Sequence, residues 1–138
     1  MREIRFMAWD TDKNKMVKVD TIDFYNGNVN DVDFYNQEIH FGFSTILLQY
    51  TGLKDKNGTD IYEGDIVQYL KHKRIYHDYE YESACVEYNE RKCRFELNKG
   101  NGNNETFCSF SKFGTNDEQV EVIGNIYEHP HLLKDDTQ

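Results

Sequence analysis

Residues 50–67 read YTGLKDKNGTDIYEGDIV, and the fold is decided by how this stretch turns. Asp55-Lys56-Asn57-Gly58 is dense in turn-forming side chains, and Asn57 or Gly58 can supply the positive φ that a hairpin requires. Glu63-Gly64-Asp65 is a second tight turn, and Ile66–Leu70 leaves it as a strand. Gly52, Gly58 and Gly64 thus punctuate short segments in which Leu53, Ile61, Ile66 and Val67 face a core. Chain reversals this frequent are the rhythm of a small barrel or curved sheet.

Upstream, Glu3–Trp9 alternates, with Ile4, Phe6 and Ala8 on one side and Arg5, Met7 and Trp9 on the other. Asp10–Lys15 (DTDKNK) is rich in turn formers, and Met16–Asp20 resumes as a strand, which together predict an N-terminal hairpin. A turn at Asn26-Gly27-Asn28 follows Ile22–Tyr25, and strands are expected at Val29–Tyr35 and Glu38–Phe43. Ser44–Tyr50 (STILLQY) fits either a strand or a short helical turn.

Downstream, Lys71–Ser83 (KHKRIYHDYEYES) is expected to form an exposed loop or hairpin tip. Ala84–Tyr88 and Cys93–Leu97 pair across Asn89–Lys92. Lys99–Glu105 (KGNGNNE) reads as a flexible connection. Thr106–Phe110 and Val120–Tyr127 are late strands, and Pro130 opens a terminal helical turn carrying Leu132 and Leu133. The expected class is mainly β: a small curved sheet or partly open β-barrel with an N-terminal β-hairpin and at most short helical turns. One domain spans 1–138, with hairpin and strands in 1–49, a barrel-like core in 50–133 and a frayed tail in 134–138.

A chain of 138 residues buries roughly 65–70% of its unfolded surface. Ten Tyr, nine Phe and one Trp supply much of that core, at about 150–250 Å² each. The surface is strongly solvated, with a mean hydropathy of −0.85. Sixteen basic against 25 acidic residues leave a net charge of −9, which repels phosphate backbones and anionic membranes alike. The basic clusters Lys71–Arg74 and Arg91–Arg94 read as solvated loop or strand ends; only if they met on one face would they bind an anion. No apolar run approaches the ~18 residues of a membrane span. The opening MREIRFMAWD is charged and alternating, unlike a secretory signal. Cys85, Cys93 and Cys108 make an odd count, which points away from a secreted disulfide framework. A cytoplasmic protein with reduced thiols is the resulting expectation.

Candidate chemistry is thin. Asp10, Asp12 and Asn14 imitate the start of a calcium loop, but Lys15 and Thr21 stand where that loop needs Gly and Glu. Asp55, Asn57 and Asp60 depart from the pattern in the same way. His129 and His131 flank Pro130 without an evident third or fourth ligand, and the cysteines, at spacings of eight and fifteen, contain no CxxC. There is no G-x-S-x-G elbow, and Gly100-Asn101-Gly102 lacks the rest of a phosphate loop. Glu63 and Asp65 suit acid–base work by type, yet a Gly-centred turn places them as surface residues. No catalytic, metal or cofactor-binding residue is assigned. The segment that most resembles a contact surface is the tyrosine-rich one: Tyr76, Tyr79 and Tyr81 are the interface candidates, since tyrosine joins a large contact area to a hydrogen-bonding tip. A β-ribbon with tyrosines packed along one face is the plainer reading of the same residues.

The stretch YTGLKDKNGTDIYEGDIV closely resembles the signature of the YopX family of phage and prophage proteins. MREIRFMAWDTDKNKM is similar to that family's opening, and Val120–Leu133 (VEVIGNIYEHPHLL) to its closing motif. The three stretches occur in the family's order, while Gln68–Gln119 carries little resemblance. The resemblance implies a mostly β protein of phage or prophage origin that self-associates, and it transfers no catalytic residues. The function expected is that of a non-enzymatic accessory protein in the bacterial host cytoplasm. It would act through contacts with its own copies or with a host or phage protein. The alternative is a modulator of nucleic-acid transactions, through local binding or acidic mimicry of DNA.

Overall fold

The structure is a computed structural model that describes residues 3–35, 39–41, 44–72, 79–100, 105–106 and 120–133. The chain divides into two compact units, Met1–Tyr50 and Thr51–Gln138. The first contains β1 (Phe6–Asp10), β2 (Lys15–Tyr25), β3 (Asn28–Phe34), β4 (Ile39–Phe41) and the start of β5 (Thr45–Lys54). They are antiparallel in the order β4-β3-β2-β1-β5.

The N-terminal hairpin is present, with Met7 opposite Lys18 and Asp10 opposite Lys15. Its turn forms because Asp10, fully buried, accepts the N–H groups of Asp12 and Lys13 on Oδ1 at 2.9 and 3.2 Å. Tyr25 pairs with Asn28, so Asn26-Gly27 is a two-residue loop, and both residues have positive φ (51° and 79°), as a type I′ turn requires. Alternation places Ala8, Val32 and Phe34 in a small core, with Val17, Val19, Val29 and Leu47 against it. Ser44–Tyr50, ambiguous by pattern, is strand from Thr45 because it pairs with β1, Phe6 to Gln49 through Asp10 to Thr45.

The second unit holds the end of β5 with β6 (Asp60–Tyr62), and a five-stranded sheet ordered β10-β9-β8-β7-β11. Its strands are β7 (Asp65–His72), β8 (Tyr79–Asn89), β9 (Arg94–Asn98), β10 (Glu105–Thr106) and β11 (Glu121–Asn125). A 3₁₀ turn at Pro130–Leu133 follows. Period-two alternation puts Val67, Tyr69, Ala84, Val86 and Leu97 on one face, where they pack with Ile61 and Val120. Ile66 and Cys85, partners across β7 and β8, take the opposite face and are also buried. The mainly β class with an N-terminal hairpin holds; the strands lie in antiparallel sheets, neither closed into a barrel. The expected loop at Lys71–Ser83 is partly strand, since β7 runs to His72 and β8 begins at Tyr79. The strand expected over Thr106–Phe110 and the tail 134–138 lie almost wholly outside the described residues.

Candidate functional site

The polar residues of the 50–67 stretch are turned onto backbone. Asp55 is 6% exposed; its Oδ1 accepts the N–H groups of Asn57 and Thr59 at 2.8 and 2.9 Å. Its Oδ2 accepts the N–H of Val122 at 3.0 Å, and Lys56 N–H donates to the Val120 carbonyl at 2.9 Å. The turn therefore also fastens the entry to β11. Burial pushes the Asp55 carboxyl up, but the N–H donors of Val122, Thr59 and Asn57 together outweigh it and hold the group below the usual carboxylate range.

The second turn works in the same way. Asp65 Oδ2 accepts the Tyr62 N–H at 2.8 Å, Gly64 N–H donates to the Val86 carbonyl at 2.7 Å, and Ile126 N–H donates to the Gly64 carbonyl at 2.9 Å. Asn125 then closes the chain beyond β11: its Oδ1 accepts the N–H groups of Tyr127 and Glu128 at 3.1 and 2.8 Å. Its own N–H donates to His129 Nδ1 at 3.3 Å, and His129 N–H returns to the Asn125 carbonyl at 2.8 Å. Gly124 makes room for this knot, since a Cβ there would lie 2.7 Å from His129 Nδ1 and 3.0 Å from Leu132 Cδ1.

A group of ionisable side chains surrounds the second turn. Asp65, expected at the surface, is half-buried. Burial pushes its carboxyl up to about 7; the charge of Asp55 adds to the shift, and the Tyr62 N–H offsets part of it. Burial, followed by the charges of Glu87, Asp65 and Glu63, pushes the Cys85 thiol up to about 12. Burial likewise raises Tyr127, with Cys85, Glu63 and Glu87 adding to it. At neutral pH Cys85 is thus a protonated, buried thiol, and this arrangement supplies no thiolate nucleophile. Sequence reading named Asp65 but placed it at the surface, because the neighbours that bury it, β8 and β11, are distant in the chain.

Of the three tyrosines singled out, Tyr76 lies outside the described residues. Tyr79 opens β8 opposite His72, with only its backbone described. Tyr81, two residues on and opposite Leu70, is 67% exposed. The Arg91–Arg94 cluster does not present a uniform cationic face: Arg94 Nε lies 3.0 Å and Lys92 Nζ 3.8 Å from Glu96 Oε1. Asn89 Nδ2 donates to the other oxygen of this buried glutamate at 3.1 Å. In the other cluster, Lys71 and His72 end β7, and residues 73–74 are not described. Asp60, one of the imagined calcium ligands, pairs with Lys54 at 2.8 Å. His129 and His131 stack edge to face, 6.2 Å between centroids. Among the described residues no group of three or more His, Cys, Asp or Glu could hold a metal ion, and no helix is long and apolar enough to cross a membrane.

The family model described as YopX protein matches residues 5–134. The chain belongs to the YopX family. No curated protein matches it. A solved structure, protein EF1440 from Enterococcus faecalis, is similar at 30% identity with a TM-score of 0.69, over 96% of this chain and 99% of that one. In this YopX protein the 50–67 and 120–133 stretches meet through Asp55, Gly64 and Asn125. Polar residues of these two stretches thus fasten turns to strands.

Proposed function

We propose that this YopX protein is a non-enzymatic accessory protein of phage or prophage origin, working in the bacterial cytoplasm through protein–protein contacts and self-association. The observation that carries the reading is where the polar groups of the signature are spent. Asp55, Asp65, Asn125 and His129 each bind backbone N–H groups. Of the three tyrosines singled out from the sequence, Tyr81 offers itself outward, on the strand that Tyr79 begins. A large, exposed aromatic suits assembly between copies or capture of a partner. The second reading, modulation of nucleic-acid transactions, draws on the charge of −9 in its mimicry form. Direct binding is disfavoured, because Arg94 and Lys92 already face Glu96.

Light scattering tests the leading reading. The wild type is expected to have a mass above the 16.4 kDa of one chain, and the triple variant Tyr76→Ser, Tyr79→Ser, Tyr81→Ser to fall towards it. A wild type that stays at 16.4 kDa across concentrations, and whose recovery of host proteins the triple variant leaves unaltered, would sink the proposal.

A further inference from the structure

The sequence holds three Asn-Gly pairs, at 26–27, 57–58 and 101–102; the third lies outside the described residues, and the structure sets the other two apart. Both are exposed, and a Cβ at Gly27 or Gly58 would meet nothing within 4 Å, so crowding does not distinguish them. Hydrogen bonding does. Asp55 grips the second pair: its Oδ1 accepts the N–H groups of Asn57 and Thr59 at 2.8 and 2.9 Å, and its carbonyl accepts that of Gly58 at 3.0 Å. The Asn57 side-chain amide also donates to Glu121 at 3.5 Å. In the first pair the Gly27 N–H has no acceptor among the described residues. The side-chain bond across that loop, from Asn28 Nδ2 to the Asn26 carbonyl, is long at 3.5 Å. Phe24 and Tyr25, which lead into the loop, are exposed as well, so the end of this hairpin opens locally at little cost.

We propose that Asn26-Gly27 is a self-modifying site of the folded chain, where the Asn26 amide is lost through a succinimide, while the Asp55 turn protects Asn57-Gly58. The Gly27 backbone nitrogen gives its proton to water or hydroxide and attacks Asn26 Cγ. The N–Cγ bond forms, the Cγ–Nδ2 bond breaks, and Nδ2 leaves with a proton as ammonia. Water then opens the ring. Cleavage of the new N–Cγ bond gives aspartate; cleavage between the Asn26 carbonyl carbon and the Gly27 nitrogen leaves the chain running through Cγ, as isoaspartate. The attack needs a free glycine nitrogen and rotation about the asparagine Cα–C bond. At Asn57 that rotation breaks bonds to the Asp55 carboxylate; at Asn26 the end pair of the hairpin, Tyr25 with Asn28, yields instead. The isoaspartyl product adds a backbone carbon to a two-residue loop, and so takes Tyr25 and Asn28 out of register.

Incubation of the full chain in mildly alkaline buffer is the test. Peptide mass spectrometry scores deamidation at each pair, and an isoaspartyl methyltransferase, used as a reagent, scores isoaspartate by methyl uptake. Asn26 is expected to react at least about tenfold faster than Asn57, the factor that one hydrogen bond to a charged group imposes. In urea, where the Asp55 turn is lost, the two rates should agree within about twofold. Asn26→Gly, which keeps a residue suited to the type I′ loop, should abolish the reaction at position 26 and leave the Asn57 rate unchanged. Two results overturn the proposal: native rates at Asn26 and Asn57 that agree within about twofold, or an Asn26 that reacts only in urea.

Discussion

Asp55 is the residue whose removal should most weaken the second unit. Its carboxylate receives three backbone N–H groups, and hydrogen bonds to a charged group contribute about 1.5–3 kcal/mol each. Their sum is a ceiling, because Asn57 and Thr59 are exposed and recover water when the carboxylate is gone. Val122 N–H, part-buried, would be left without its acceptor at a cost of about 1–3 kcal/mol. Asp55→Ala is therefore expected to destabilise by about 3–5 kcal/mol. Asp55→Asn keeps one acceptor oxygen but turns an amide N–H₂ towards the Val122 N–H, for a loss of about 2–3 kcal/mol. Urea unfolding followed by circular dichroism, with amide exchange at Val122 as the local readout, measures both. The native carboxyl lies below its ordinary 3.8, so its contribution is complete above that value and is lost as pH falls through the lowered one. The gap between wild type and Asp55→Asn should close in acid. An Asn variant within about 0.5 kcal/mol of wild type at pH 7 with unchanged Val122 protection would refute this reasoning.

Asp65 should produce the opposite pH dependence. Its carboxyl is raised from 3.8 to about 7, so the stability linked to its neutral form is present below 3.8 and lost as pH climbs through 7. Asp65→Asn, which retains an acceptor for Tyr62 N–H, should abolish that slope and exceed wild type by about 1–2 kcal/mol at pH 8.5, a value discounted for partial exposure. Equal slopes between pH 5.5 and 8.5 in the two proteins would exclude this. Gly124→Ala should force His129 and Leu132 aside at about 1–3 kcal/mol. The loss should show as faster amide exchange from Ile126 to Leu132, and unchanged protection there would show that the knot is not tight.

What was legible in the sequence was local. The turn at Asn26-Gly27-Asn28 was legible because few residues accept positive φ as Asn and Gly do, although Asn28 proves to open β3, and the Asp10 turn could be read from its own side chains. Asp55 was legible as a turn former, but its bond to Val122 spans 67 residues, and periodicity carries no information about so distant a partner. Ser44–Tyr50 stayed ambiguous for the same reason, since pairing with β1 decides it. Ile66 looked like core beside Val67, yet the two lie on opposite faces, each buried. The tyrosines named from composition were only partly resolved in kind: Tyr81 is exposed, whereas its sequence neighbours gave no means of telling an outward ring from a packed one.

β7 lies between β8 and β11, and its two neighbours arrive at different times. Val67 pairs with Ala84 on one side and with Val122 on the other, so the second partner is synthesised long after the first. At about 5–20 residues per second, the 55 positions from Val67 to Val122 take on the order of 3–10 s to translate. For that interval β7 is an unpaired edge on the nascent chain, with Ile66, Val67, Tyr69 and Leu70 in one short run. Such an edge invites pairing with another nascent chain. The late arrival of β11 thus leaves one side of β7 open to mispairing while the chain is being made.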